Sequence, residues 1–555
     1  MSYLNKRYHN IMIPLNRFFH KFNHIIQYIS KNNYTLCGFF FLLIFILNFS
    51  EITQPPVWDS SASIFQGGIF LYENGFSYTQ LFKQPGYLKG GPNTHSDSLM
   101  TSIIAFIYYI TGGPPLTFIV LHLIHFIMSA AICTIFFRIC NKITDKPTAF
   151  LYSLLLLLFP VFLVQTKCMY LEIPLALCTV LTLSAFLNQQ LIWAVVWASL
   201  ASSFKETGIM VGGGLAFAIL FLKQSMRKRL LWAFLSVARG LAVIAFAIFY
   251  INPHAINDEI PAVSGFSSIL RIFDIAKICV NCIYYDLQRY LFMVPDLAIL
   301  FFCCIFIAMG RYAFILFSKK NGQAEKDTNL KTLLFNYSSG VFFTFTIFYY
   351  ICLPAFNIQC SVLPRYFVSV YPLFLLFIAS ITYQRYKGRY YNLILVVILI
   401  FFIVNQSGRF YPDESGKEGT GINFAVTERS YAYRHFLSAQ RHAVKLIEQI
   451  PDDIPVYYGL DIHFLVSSPL VGYSKKIIKN GKNLFGLDMR REFKILPDCF
   501  IMIHSSPWLG SEKAQRMAVL LQNRKDISVN TFTIQYDKYK INFILFQKAG
   551  SDCFK

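Results

Sequence analysis

The chain has 555 residues, of which 55% are hydrophobic, 17% aromatic and only 14% charged, and its mean hydropathy is +0.48. That balance excludes a soluble globular protein of this length and describes a polytopic membrane protein. The formal charge of +21 does not point to nucleic acid, because basic residues in such chains gather in cytoplasmic loops, where they fix topology and meet anionic lipid.

The N-terminal stretch carries Lys6, Arg7, Arg17, Lys21 and Lys31 with no acid before Glu51, followed by the apolar run Tyr34 to Asn48. It has no small-residue cleavage site, so a retained first span is expected rather than a signal peptide. Apolar runs read against the charges between them predict about eleven spans. They lie near 34–50, 116–137, 148–166, 173–188, 191–204, 208–222, 230–251, 291–309, 332–353, 367–383 and 391–404. Alternate gaps are basic: Arg138/Lys142/Lys146, Lys223/Arg227/Lys228/Arg229, Arg311/Lys319/Lys320/Lys326/Lys331 and Arg385/Lys387/Arg389. The positive-inside rule places those gaps and the N-terminus in the cytoplasm.

Two segments of the first loop, residues 51–97 and the run after it, need a different reading. The short run Ser98 to Ile110 would break the alternation if it crossed, so it is expected to lie in the outer interface. Segment 60–82 follows Asp59 and reads as an amphipathic helix on the same surface, with Tyr72, Phe76 and Tyr78 at headgroup level. After Val404 charge density rises through to Lys555. Residues 405–555 therefore form a small α/β domain, on the non-cytoplasmic side if the span number is odd. Its predicted elements are a helix over 434–448, strands over 454–458 and 499–504, a helix over 511–522, and strands over 531–535 and 541–546.

The 13 cysteines are scattered and yield no disulfide framework, and the CxxC spacing of Cys279 and Cys282 equals one helical turn with no second pair.

Ionisable residues collect at outer span ends, where they are costly unless paired or facing water, and so mark a site. Asp59 follows the first span, and Lys83 and His95 lie on the first loop. Glu172 falls in Lys167-Cys-Met-Tyr-Leu-Glu-Ile-Pro174, Lys205 and Glu206 in Ser203-Phe-Lys-Glu-Thr-Gly208, and Arg365 and Tyr366 open the tenth span. Each has an ordinary alternative: Asp59 as a helix N-cap before Ser60 and Ser61, Lys205 and Glu206 as a local ion pair, His95 as a solvated loop histidine, Arg365 as a snorkelling cation. Arg239 and the pair His122 and His125 are assigned to packing or snorkelling.

Taken in order, these motifs resemble the integral-membrane GT-C glycosyltransferases, in the branch of the protein O-mannosyltransferases and lipid A aminoarabinose transferases. The residues that carry the resemblance are Asp59 after the first span, Thr94-His95, Leu171-Glu-Ile-Pro174, Phe204-Lys-Glu-Thr-Gly208, and Leu363-Pro-Arg-Tyr-Phe-Val-Ser-Val-Tyr-Pro372. Family members commonly follow the histidine with two prolines, whereas Ser96 and Asp97 stand here. The resemblance covers roughly 34–410, and the tail from Glu428 to Tyr473 only loosely.

The resemblance implies a polytopic GT-C fold of about eleven helices with a small C-terminal α/β domain. It also implies a sugar donor on a polyprenyl phosphate, undecaprenyl phosphate being favoured, and an acceptor glycan, lipid or protein hydroxyl. Asp59 would then be the base and Glu172 a second catalytic carboxylate. Lys205, Arg365, Tyr366 and His95 would hold the donor phosphate, and Glu206 and Lys83 would support them. No cofactor is certain and a divalent metal is left open, because acids from separate loops make no readable ligand motif. A bacterial inner membrane is the expected location. The rival readings are a lipid-linked glycan transporter, marked by broken helices or acids near mid-membrane, a periplasmic glycan polymerase or ligase, and a non-catalytic scaffold.

Overall fold

The computed structural model describes residues 24–57, 60–82, 99–246, 328–349, 364–386, 388–405, 433–484, 497–506, 526–536 and 539–548, with a few single positions in the tail. Helix α1 (Asn33–Asn48) begins where the Asn32 side chain accepts the Thr35 amide at 2.7 Å, an N-cap that replaces one missing helical partner. Its buried residues Leu36, Phe40, Ile44 and Asn48 repeat every four positions. That single ridge is what a span needs to pack on one neighbour while its other faces meet lipid.

The first loop continues through a π-turn (Ser60–Ile64), α2 (Phe65–Glu73) and α3 (Tyr78–Phe82) to α4 (Leu99–Thr111). Helical structure thus occurs over much of 60–82 and over 99–111, as expected. Then come α5 (Leu116–Cys140), α6 (Lys146–Leu158), α7 (Pro160–Cys168), α8 (Glu172–Leu187), α9 (Leu191–Phe204), α10 (Ile209–Ile219), α11 (Met226–Phe246), α12 (Thr328–Ile347), α13 (Tyr371–Tyr386) and α14 (Arg389–Asn405). A helix stands at each expected span except 291–309, which lies outside the described residues.

Length separates these helices. Among the described residues, only α1, extended to Glu51, and α5 are long and apolar enough to cross a bilayer alone, and α6 with α7 forms a third span if the bent pair counts as one. The expected span over 148–166 is this pair, and α6 and α7 are bent by 59°. Proline explains the break, because the residue before it is pushed out of the helical region, and Phe159 takes φ −58°, ψ 123° ahead of Pro160.

Glycine lets α10 approach its neighbours closely. A Cβ on Gly212 would meet the Ser236 backbone of α11, and Gly214 and Gly340 pack backbone to backbone between α10 and α12, the small-residue contact common between membrane helices.

The described residues of the tail form α15 (Tyr433–Ile447), β1 (Val456–Tyr458), α16 (Leu460–Val466), β2 (Gly481–Asn483), β3 (Cys499–Ser506), β4 (Ile527–Tyr536) and β5 (Tyr539–Lys548). The strand order is β2-β1-β3-β5-β4, with β1 parallel to β2 and β3 and the β3/β5 and β4/β5 pairs antiparallel. Helix α16 and strand β2 were not expected from the sequence. The predicted 511–522 helix falls almost wholly outside the described residues. Alternation sorts the strands into two buried faces: Tyr457, Phe500, Met502, Ile544 and Phe546 form one cluster, while Val456, Ile501, Ile503, Ile541 and Phe543 belong to the same core as the helix bundle. Cys499 is disulfide-bonded, a bond the scattered cysteine spacing did not indicate.

The sheet domain is seated on the first loop. Tyr473 Oη donates to the Pro56 carbonyl at 3.0 Å, Tyr108 Oη to Leu470 at 2.6 Å, and Gln66 Nε2 to Ser467 Oγ at 2.8 Å. Gly472, at φ +87°, lies against the Phe118 ring and Pro55, so both its backbone conformation and its contact exclude a side chain.

Candidate active site

Three loop ends meet in one cluster. The turn after α7 delivers Tyr170 and, in the first turn of α8, Glu172. Helix α9 ends at Phe204, and Lys205 leaves it in an extended conformation, φ −154°, ψ 143°, before a 3-10 turn over Glu206–Gly208. That turn is possible because Gly208 lies against the Ala201 backbone, where a Cβ has no room. A second 3-10 turn, Pro364–Ser369, carries Arg365 and Tyr366 into α13.

These residues form one buried charge cluster. Lys205 Nζ donates to Glu172 Oε1 at 2.7 Å, and Arg365 Nε lies 3.7 Å from the same oxygen. Glu172, Lys205 and Arg365 are 2%, 7% and 4% exposed, so the triad holds a net charge of +1 out of bulk water. Aromatic faces line it. Lys205 Nζ lies 4.4 Å from the Tyr366 ring centre, and the Arg365 guanidinium lies 4.7 Å from Tyr170 and 5.4 Å from Tyr366. Tyr349 stacks on Tyr366 at 5.2 Å. Cation–π contact offsets part of the cost of stripping water from the two cations.

Burial pushes the Lys205 ammonium down, but the Glu172 carboxylate, with Tyr366 and Glu206 adding to it, outweighs that and leaves its pKa raised. Lys205 is therefore a fixed cation at neutral pH. The planar fork of Arg365 suits a phosphate.

A second buried cluster lies beside the first loop. Glu51 sits 3.3 Å from Lys167 Nζ and also pairs with Arg434 of α15. Charge thus joins the end of the first span, the α7 end and the sheet domain. The sequence pointed to none of these three as a site residue.

The structure brings Glu172, Lys205, Arg365 and Tyr366 together, with Glu206 following Lys205 in the chain. Asp59, Lys83 and His95 lie outside the described residues. Arg239 donates to Ser203 Oγ at 3.2 Å. His122 and His125 are wholly buried, each with a backbone carbonyl 2.8–3.3 Å from either ring nitrogen, which is packing with a specific partner set rather than snorkelling. Tyr170 was within the quoted motif but not singled out, although an aromatic two residues before a buried acid was a readable signal. Among the described residues no group of three or more His, Cys, Asp or Glu could hold a metal ion.

No protein-family model matches the chain, and no curated protein matches it. Among solved structures it is similar to ArnT, a lipid A aminoarabinose transferase, from Cupriavidus metallidurans bound to undecaprenyl phosphate. The identity is 11% over 91% of this chain and 97% of that one, with a TM-score of 0.46. The apo state of the same protein gives 12% identity over the same shares and the same TM-score. The Archaeoglobus fulgidus oligosaccharyltransferase, in complex with Zn and sulfate, gives 10% over 84% of this chain and 67% of that one, at 0.41. No residue of this chain takes a role from them.

Proposed function

We propose that the protein is a membrane glycosyltransferase that moves a sugar from a polyprenyl phosphate to an acceptor hydroxyl at the non-cytoplasmic face. The observation that carries this is the buried Lys205–Glu172–Arg365 cluster, two cations on one carboxylate with Tyr170 and Tyr366 against them. The acceptor oxygen attacks the anomeric carbon and gives its proton to the Asp59 carboxylate. The bond from that carbon to the phosphate oxygen breaks, and its electron pair leaves with the polyprenyl phosphate, whose charge Lys205 and Arg365 neutralise. Attack opposite the leaving group inverts the anomeric centre. Glu172 holds the two cations in register and keeps them from retaining the product phosphate too tightly. Undecaprenyl phosphate is the favoured carrier, with lipid, glycan or protein hydroxyls as acceptor class.

The orientation rests on two supports. Basic loops such as Arg138/Lys142/Lys146 lie at the far ends of α5 and α6 from the site, in keeping with a cytoplasmic placement. The disulfide at Cys499 suits a sheet domain in an oxidising compartment.

A second reading, a transporter of lipid-linked sugars, is favoured by the bend between α6 and α7, since broken helices are common at transporter sites. Sugar transfer from a panel of polyprenyl-phosphate sugars by purified protein decides between them. Turnover that collapses in Asp59→Asn, with donor binding retained, supports the transferase and its base. Donor binding without turnover under any acceptor supports the transporter.

A further inference from the structure

Between α7 and α8 the chain makes a short non-helical turn in which Met169 adopts a left-handed conformation, φ 54°, ψ 38°. A side chain that is not glycine holds this conformation only where its surroundings over-determine it. Here they do. Four consecutive carbonyls across the turn are met by side chains from two other elements. His122 Nε2 lies 3.1 Å from the Lys167 oxygen, Ser60 Oγ lies 3.0 and 3.2 Å from those of Cys168 and Met169, and His125 Nε2 lies 3.3 Å from that of Tyr170. Both histidines are on α5, three residues apart and wholly buried, and Ser60 is buried as well.

We infer that His122, His125 and Ser60 are positioning residues that clamp this turn, and through it set Tyr170 and Glu172 against Arg365 and Lys205. The consequence for catalysis rests on the proposed transfer reaction; the clamp itself does not. Carbonyls past the end of a helix have lost the ladder of helical amides and need donors from elsewhere. The histidine Nδ1 atoms face the Phe118 and Leu121 oxygens at 2.8 and 3.0 Å, but those oxygens already accept the backbone amides of α5. The demand for a donor lies at the turn, and the clamp requires the single ring proton to sit on Nε2. Ser60 has one proton for two carbonyls and shares it between them. The same hydroxyl ties the chain just after Asp59 to the turn just before Glu172, so the two carboxylate-bearing segments are held by one residue.

If these side chains merely filled space, an apolar residue of similar size would serve. The test compares His125→Leu, His122→Leu and His125→Gln in the full-length protein in lipid nanodiscs, Gln keeping an N–H near the place of Nε2. Hydrogen exchange over residues 167–172 is expected to rise on the order of tenfold in each Leu variant and to return towards wild type in His125→Gln, with α5 and α8 still protected. Transfer turnover should fall on the order of tenfold in the Leu variants with KM little changed. Adding His125→Leu to Glu172→Gln should slow the enzyme no further, because both act through the same carboxylate. Unchanged exchange over 167–172, or loss of protection spread evenly along α5 and α8, overturns the clamp. So does a Leu effect that multiplies that of Glu172→Gln. A wild-type protein that transfers no sugar removes the proposed reaction, and the exchange pattern then decides the clamp alone.

Discussion

Glu172→Gln separates the two tasks of the buried cluster. At an effective dielectric of about 20, its contacts at 2.7 Å to Lys205 and 3.7 Å to Arg365 correspond to gross attractions of about 6 and 4 kcal/mol. Most of that offsets desolvation, and removing one member of a buried pair costs a net of about 3–5 kcal/mol. The amide keeps the shape and one acceptor, so the lower end, about 3 kcal/mol, is expected, appearing as a fall of roughly 2–3 °C in apparent Tm for a chain of this length. The same change raises the net charge of the triad from +1 to +2, so undecaprenyl phosphate should bind about tenfold more tightly. Thermal unfolding of purified protein, titrated with undecaprenyl phosphate, reads both effects. The variant should start lower and be stabilised more steeply by lipid than wild type, while its sugar transfer slows. If lipid stabilises the variant equally or less, Lys205 and Arg365 do not form the donor-phosphate site.

Lys205→Met should cut kcat/KM by about a hundredfold or more, as loss of a preorganised charge at a leaving group does, and sugar transfer measures it; less than a threefold loss counts against its role. Gly472→Ala forces a left-handed alanine against Phe118 and should cost about 2–4 kcal/mol, seen as faster proteolysis of the sheet domain with the helices intact. Burial holds the His463 imidazole down to about 4 against an unfolded value near 6.5, so the neutral form is the folded one. Its stabilising effect is present above pH 6.5 and is lost as pH falls towards 4, by roughly 3 kcal/mol. His463→Phe should flatten that stretch of the stability profile, and an unchanged profile would show that other groups set it.

The sequence made the apolar helices legible because runs of apolar residues are a strong signal, while only two or three of those described are long enough to count as spans. It made part of the site legible because charges at span ends are rare: Glu172, Lys205 and Arg365 were named from position alone and meet within one cluster. Other features depended on contacts that a linear reading does not hold. Glu51 pairs with Lys167 and Arg434 across more than a hundred and nearly four hundred positions, and nothing local marks any of the three. The histidine pair had a usable signal, two imidazoles three apart in an apolar helix, yet their partners lie 45 residues away. Strand β2 is three residues of Gly-Lys-Asn, whose composition argues against a strand, and its pairing with β1 overrides that. The bend at Pro160 was readable from the proline rule, but hydropathy averaged across it.

The contacts between Glu51 and Arg434, Pro56 and Tyr473, and Phe118 and Gly472 also impose an order on biosynthesis. A ribosome completes α1 through α14 before residues 434–473 exist. During that interval the newborn chain carries the buried acid Glu51 and the stretch 55–57 without the surface that will cover them. The helix bundle can therefore insert while its first loop is still open, and that loop closes only when the last fifth of the protein has been made and folded.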